Sequence, residues 1–150
     1  MSDADAWPFI LDFANDINFQ APARAYASVW PSTSYQYRFR EPNPWEGPWQ
    51  GHSSHVLDVA YLFLNFAERL TPSQAKLAEE FATDILKFVN GTAPFQKFEQ
   101  ASAFVKEYLS EDGQALSKDR SKDYDAIWPS LFSRVGYDTI QGVWAKFMSS

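Results

Sequence analysis

The stretch that most constrains the fold runs from Tyr35 to Phe66, YQYRFREPNPWEGPWQGHSSHVLDVAYLFLNF. Tyr35, Tyr37 and Phe39 alternate with Gln36, Arg38 and Arg40, the two-residue period of a half-buried or edge strand with one aromatic face. Pro42, Pro44 and Pro48 then end the strand, because proline has no N–H to give to a ladder. Past that loop an apolar helical pattern begins, and both histidines, His52 and His55, stand where loop becomes helix. A strand, a polar loop and a buried helix behind it present an imidazole to a cleft, and loops on rigid supports are where catalytic groups concentrate.

The apolar spacing predicts a helix from His55 to Leu70. Val56, Val59, Ala60, Phe63, Phe66 and Ala67 form one stripe and Leu57, Tyr61 and Leu64 a second, so the helix is expected to be buried on more than one side. A second helix carries stronger local signals. Thr71 is its N-cap, Pro72 fills the first turn and Gln74 completes a capping box. Leu77, Phe81, Ile85 and Phe88 mark its buried face, and Asn90-Gly91 stops it. Trp45 and Trp49 in the loop between strand and helix either cover the core edge or line a ligand cleft.

Upstream, Trp7, Phe9, Ile10, Leu11 and Phe13 form an apolar patch, and Asp16 to Phe19 reads as the cap of a helix over Ala21 to Trp30, with Pro22 in its first turn. Ala23, Tyr26, Ala27 and Trp30 define the inward face of that helix, and Pro31 ends it. Downstream, Thr92 to Phe98 is irregular, Ala101 to Leu109 suits a short helix or a strand, and Glu111 to Asp125 reads as an exposed polar loop. Tyr137 to Phe147 repeats Ile140, Trp144 and Phe147 at helical spacing, which predicts a docked C-terminal helix.

Composition removes several functions. A net charge of −6 with no lysine or arginine cluster argues against a nucleic-acid partner. With 150 residues, 45% hydrophobic and 17% aromatic, the chain has the length of one domain and the means to bury a core. Without cysteine there is no thiol chemistry and no thiolate metal site. The longest apolar run, Val56 to Phe66, is broken by Asp58 and Asn65 and falls short of the roughly 20 residues a membrane span needs. The acidic start MSDADAWPF lacks the apolar run of a secretory signal, and the compartment stays open.

Three constellations carry chemistry. His52, His55 and Asp58 are spaced to share a helix face, as ligands of a metal would, yet a histidine at a helix start also serves as a hydrogen-bonded cap. Asn90-Gly91-Thr92 fits the N-glycosylation acceptor pattern, although a helix C-cap also explains Asn90-Gly91. Glu79 and Glu80 read as a solvated face. Neither the Gly-x-Ser-x-Gly turn of serine hydrolases nor a glycine-rich phosphate loop is present.

In order, the strand, the loop, Gly51-x-x-x-His55-x-x-Asp58 and Tyr61-Leu62-Phe63 resemble the C-terminal part of type-B carboxylesterases, the group that includes the cholinesterases. Asp16-x-x-Phe19-x-x-Pro22 is similar to the element opening the helix before that strand, Phe81 to Pro94 to a later helix end, and Trp128-Pro129 to the tail. The resemblance covers most of the chain, roughly Asp16 to Phe95, and more loosely the remainder; each motif is weak alone, and their order gives the match its specificity. Gly51 lies one position further from His55 than the family pattern has it, His52 fills the usual glycine place, and Val56 stands where a small residue is usual.

The resemblance implies an α/β fold, the C-terminal segment of an α/β-hydrolase spanning residues 1–150, mostly helical with one or two strands of an incomplete sheet. It implies carboxylic ester hydrolysis by a serine enzyme with His55 as catalytic general base, no cofactor, and a small-molecule ester as substrate of the full-length enzyme. The serine and the acid have no counterpart here, so the chain is expected to be inactive alone, as a truncated product, a mis-predicted gene or one part of a split enzyme. Its partners would be an upstream chain or a second copy, docked on the exposed aromatic face or on the edge of Tyr35 to Phe39, with no nucleic acid and no membrane span. Two other readings stand beside it: a non-catalytic aromatic-rich binding or interaction module, and a small metal-binding protein centred on His52, His55 and Asp58.

Overall fold

The longest helix begins at the strongest local signal in the sequence. In a computed structural model that describes residues 3–99, 104–116, 130–131 and 133–149, the Thr71 hydroxyl accepts from Gln74 N–H while the Gln74 side chain accepts from Thr71 N–H. That reciprocal cap starts the helix Pro72–Val89, and Gly91 closes it at φ +73°, a left-handed position that suits glycine. Most of the described chain is helical, and its strands form a two-stranded parallel sheet. Contacts divide the chain into two units, Met1–Pro31 with Arg120–Ser150, and Ser32–Asp119.

The first unit holds α1 (Asp3–Asn15), α2 (Ala21–Val29) and a C-terminal helix, Tyr137–Met148, numbered α6 below. Asp16 to Phe19 does not cap a new helix. Asn15 and Gln20 both keep right-handed helical dihedrals, and a π turn, Asp16–Gln20, joins α1 to α2 without a break. Pro22 accounts for it: proline cannot donate and its ring crowds the carbonyl four residues back, so the ladder slips by one residue. Ala21 N–H accordingly donates to Asp16 O, five residues earlier. The slip leaves Ile17 O facing Pro22, which has no hydrogen to offer. Gln141 Nε2 and Tyr137 Oη of α6 donate to Ile17 O instead, at 3.2 and 3.4 Å.

Ile140 is buried and Trp144 meets Phe13 edge-on at 5.9 Å, so the C-terminal helix docks as expected, although Phe147 is exposed. The expected inward face of α2 is turned out: Tyr26 is 71% exposed and Trp30, already outside the helix, is exposed too.

The second unit contains β1 (Tyr37–Phe39), α3 (Leu57–Leu62), α4 (Pro72–Val89), β2 (Lys106–Tyr108) and α5 (Glu111–Leu116). β1 is shorter than Tyr35 to Arg40 but keeps the anticipated faces. Tyr37 and Phe39 pack with tilted rings against Phe81 of α4 at 5.2 and 5.6 Å, while Arg38 and Arg40 reach Glu107. β2 lies parallel to β1 with Phe39 opposite Tyr108, so the ambiguous stretch before Leu109 is a strand at Lys106–Tyr108. Parallel strands need a crossover connection, which α3 and α4 supply. Leu57, Tyr61, Leu77, Ala78, Phe81 and Tyr108 form the core between them.

Two expectations fail here. The helix from His55 to Leu70 is only Leu57–Leu62, because Val56, Leu64 and Phe66 all take left-handed dihedrals that no α-helix carries. Of the second stripe only Leu57 and Tyr61 are buried; Leu64 is exposed, as are Val56, Val59, Phe63 and Phe66 of the first. Glu111 to Leu116 is a helix and not a loop, and Gly113 within it is buried. Ala101 to Ala103, Ser117 to Asp125 and Trp128-Pro129 lie outside the described residues. Among those described, no helix is long and apolar enough to cross a membrane.

Candidate active site

The chain leaves the carboxyl end of β1 into a loop fastened to itself and to the strand. Asn43 N–H donates to His52 O and Gly51 N–H to Asn43 O, both at 2.9 Å, so Asn43 closes the excursion through Trp45 and Trp49. The Ser53 hydroxyl then donates to Phe39 O at 3.1 Å, pinning the far end of the loop to β1. A last turn, in which Leu57 N–H reaches Ser54 O, brings the chain into α3 with Val56 at φ 69°. His55 is exposed on that turn and His52, three residues earlier, is half-buried.

Those left-handed and turn dihedrals separate the residues that an unbroken helix would have brought onto one face. Asp58 accepts instead from Tyr37 Oη at 3.3 Å and from Val59 N–H. Among the described residues no three His, Asp or Glu side chains converge as metal ligands, and His52, His55 and Asp58 do not form that cluster. Burial first, and then the Asp58 charge and hydrogen bond, raise the Tyr37 phenol above its ordinary value, so it remains a neutral donor.

Of the two tryptophans, Trp45 packs against the core and meets Phe66 edge-on at 5.5 Å, with its indole nitrogen buried and unpaired among the described residues. Trp49 is 52% exposed. Trp45 therefore covers the core edge.

Beneath the loop stands a feature that sequence reading missed. Glu41, the second residue beyond β1, is 0% exposed, and three donors converge on its carboxylate. Gln74 Nε2 reaches Oε1 at 3.0 Å, Ser110 N–H reaches Oε2 at 2.7 Å, and the Ser110 hydroxyl reaches Oε1 at 2.9 Å. Gly113 N–H donates to Ser110 Oγ at 2.8 Å, which fixes the direction in which that hydroxyl gives its own hydrogen. Burying a charge without such donors would cost several kcal/mol. One side chain thus ties the start of the histidine loop to the N-terminus of α4 and to α5. The only trace of it in the sequence is an acidic residue lodged between a strand and three prolines, a pattern shared with many solvated turns.

Tyr61 lies close by, 1% exposed, its hydroxyl without a hydrogen-bond partner among the described residues. Burial, and then the Glu41 charge, push its phenol far above the usual range. An exposed imidazole on a loop held at both ends is of the residue type suited to proton transfer. No protein-family profile matches this chain, nor does any curated protein or solved structure.

Proposed function

We propose that the chain is the histidine-bearing C-terminal part of a carboxylesterase-type serine hydrolase, with His55 as its general base. One observation carries the reading: His55 sits on the loop that leaves the carboxyl end of a strand in a parallel sheet. In open α/β sheets the reacting groups gather at those carboxyl ends. The histidine would take the proton from a serine as it attacks the ester carbonyl and return it to the leaving alcohol. With no Gly-x-Ser-x-Gly in these residues, the isolated chain should not hydrolyse esters, since a triad lacking a member loses most of its rate.

The test is a chimera. The 150 residues replace the corresponding C-terminal segment of a type-B carboxylesterase, and p-nitrophenyl butyrate hydrolysis is measured. A soluble chimera should turn over substrate, and His55→Ala should lower kcat by at least about a thousandfold while His52→Ala leaves most of it. A soluble, folded chimera whose activity ignores His55→Ala overturns the assignment.

A second reading, an interaction module, is favoured by the apolar row Val56, Val59, Phe63 and Phe66, of which Phe63 is 68% exposed. Patches of this kind mark contact surfaces. In that case Phe63→Ser with Phe66→Ser should abolish a concentration-dependent association seen by sedimentation, with or without His55.

A further inference from the structure

Asn90-Gly91-Thr92 is the one Asn-x-Ser/Thr triplet in the 150 residues, with glycine between. It lies at the end of α4, and all three of its residues are exposed. Gly91 N–H donates to Phe88 O and Thr92 N–H to Lys87 O, at 3.0 and 2.8 Å, so the turn is closed by its own backbone. A side chain built on Gly91 would meet nothing within 4 Å, which leaves open space beside Asn90. Asn90 Nδ2 donates to Leu86 O at 2.7 Å, an interaction that takes only one of its two hydrogens.

We propose that Asn90 is an N-glycan acceptor, modified by an oligosaccharide from a polyprenyl-pyrophosphate donor. The bond from Nδ2 to the sugar C1 forms as the C1–O bond to pyrophosphate breaks. The electron pair leaves on the phosphate, and one amide proton is released. The remaining Nδ2–H still serves the Leu86 carbonyl, so glycosylation and the helix C-cap coexist. Leu86, Phe88 and Val89 on the same turn are 61%, 56% and 72% exposed, and the first sugars would lie over that apolar surface. A glycan here also keeps this end of α4 in solvent, whatever docks elsewhere. The proposal is independent of the esterase reading.

The full chain is expressed behind a cleavable secretory leader in a eukaryotic host, and cells and medium are both assayed. The chain should run as a heavier band that peptide-N-glycosidase collapses, with the attached asparagine mapped to position 90 by peptide mass spectrometry. Thr92→Ala should abolish the shift while leaving the Asn90 cap intact, Thr92→Ser should keep it, and Asn90→Gln should abolish it. The glycosylated chain should melt no lower than Thr92→Ala. An unmodified band in both fractions overturns the proposal, and so does a glycosylated chain that melts well below Thr92→Ala, since the folded turn would then have no room for the sugar.

Discussion

Tyr61 and Tyr108 bury the same phenol in the same core and should answer the same substitution with opposite sign. Tyr108 Oη donates to Asp84 Oδ2 at 2.9 Å, and both residues are buried. Tyr108→Phe strips a buried carboxylate of a donor and should cost about 1–3 kcal/mol. Tyr61→Phe removes a buried hydroxyl that has no partner among the described residues and stands near the Glu41 charge. That change should be neutral or stabilise by up to about 1 kcal/mol, because a desolvated polar atom disappears and no bond is lost. Urea unfolding of the two variants decides it, and a Tyr61→Phe chain weaker than Tyr108→Phe would refute the account of both. Glycine shows the same dependence on surroundings. A Cβ on Gly113 would overlap Glu41 Oε2 and lie 2.8 Å from Cδ, and the carboxylate cannot retreat without giving up its three donors. Gly113→Ala should therefore destabilise by about 1–3 kcal/mol. Gly142→Ala, in α6 with nothing within 4 Å, should stabilise by about 0.5–1 kcal/mol in the same unfolding assay.

At the scale of elements, the start of α4 is an acid-sensitive joint. The exposed Asp112 carboxylate of α5 accepts from the Ser73 and Thr71 hydroxyls, each at 2.6 Å, at the end of α4 where its dipole favours negative charge. Those two hydrogen bonds, Ser73's the larger, hold the carboxyl below its ordinary 3.8. A folded-state pKa below the unfolded one stabilises at pH above the unfolded value, and that contribution fades as pH falls through the folded value. Asp112→Asn should lower the denaturation midpoint near neutrality and converge on the unsubstituted chain below about pH 4, which flattens the acid limb of the profile. An unchanged acid limb would place the sensitivity elsewhere. α4 was legible because Thr71, Pro72, Gln74 and Gly91 act through local chemistry that any chain carrying them would share. α3 was not, since three non-glycine residues in left-handed dihedrals cut its apolar run, and tertiary packing selects that backbone over intrinsic preference. The π turn could have been foreseen from Pro22 alone, had the helix been traced back through Asp16 to α1.

Across the molecule, the features argued for function fall in one unit. Both strands, the histidine loop, the Glu41 network and the aromatic core lie within Ser32–Asp119. The placement of His55 on a loop between a strand and a helix was legible there, because a strand, a run of prolines and a histidine before an apolar helix form a pattern along the chain. The Glu41 network was not, because its donors come from residues 33 and 69 positions away and no periodicity links them. Both its buried partners, Gln74 and Ser110, nonetheless belong to the same unit, so residues 32–119 expressed alone should keep the network and unfold cooperatively. The tyrosines supply the readout. Tyr37, Tyr61 and Tyr108 all have phenols raised above 10, each chiefly by burial. Above pH 10 the unfolded chain releases phenolic protons that the folded chain retains, so stability is full below about pH 10 and falls as the pH rises beyond it. The segment 32–119 should therefore show tyrosinate absorbance that lags a free-tyrosine titration and then rises together with loss of near-ultraviolet circular dichroism. Titration of every tyrosine near its ordinary value would mean that the aromatic core of this unit does not form without the rest of the chain.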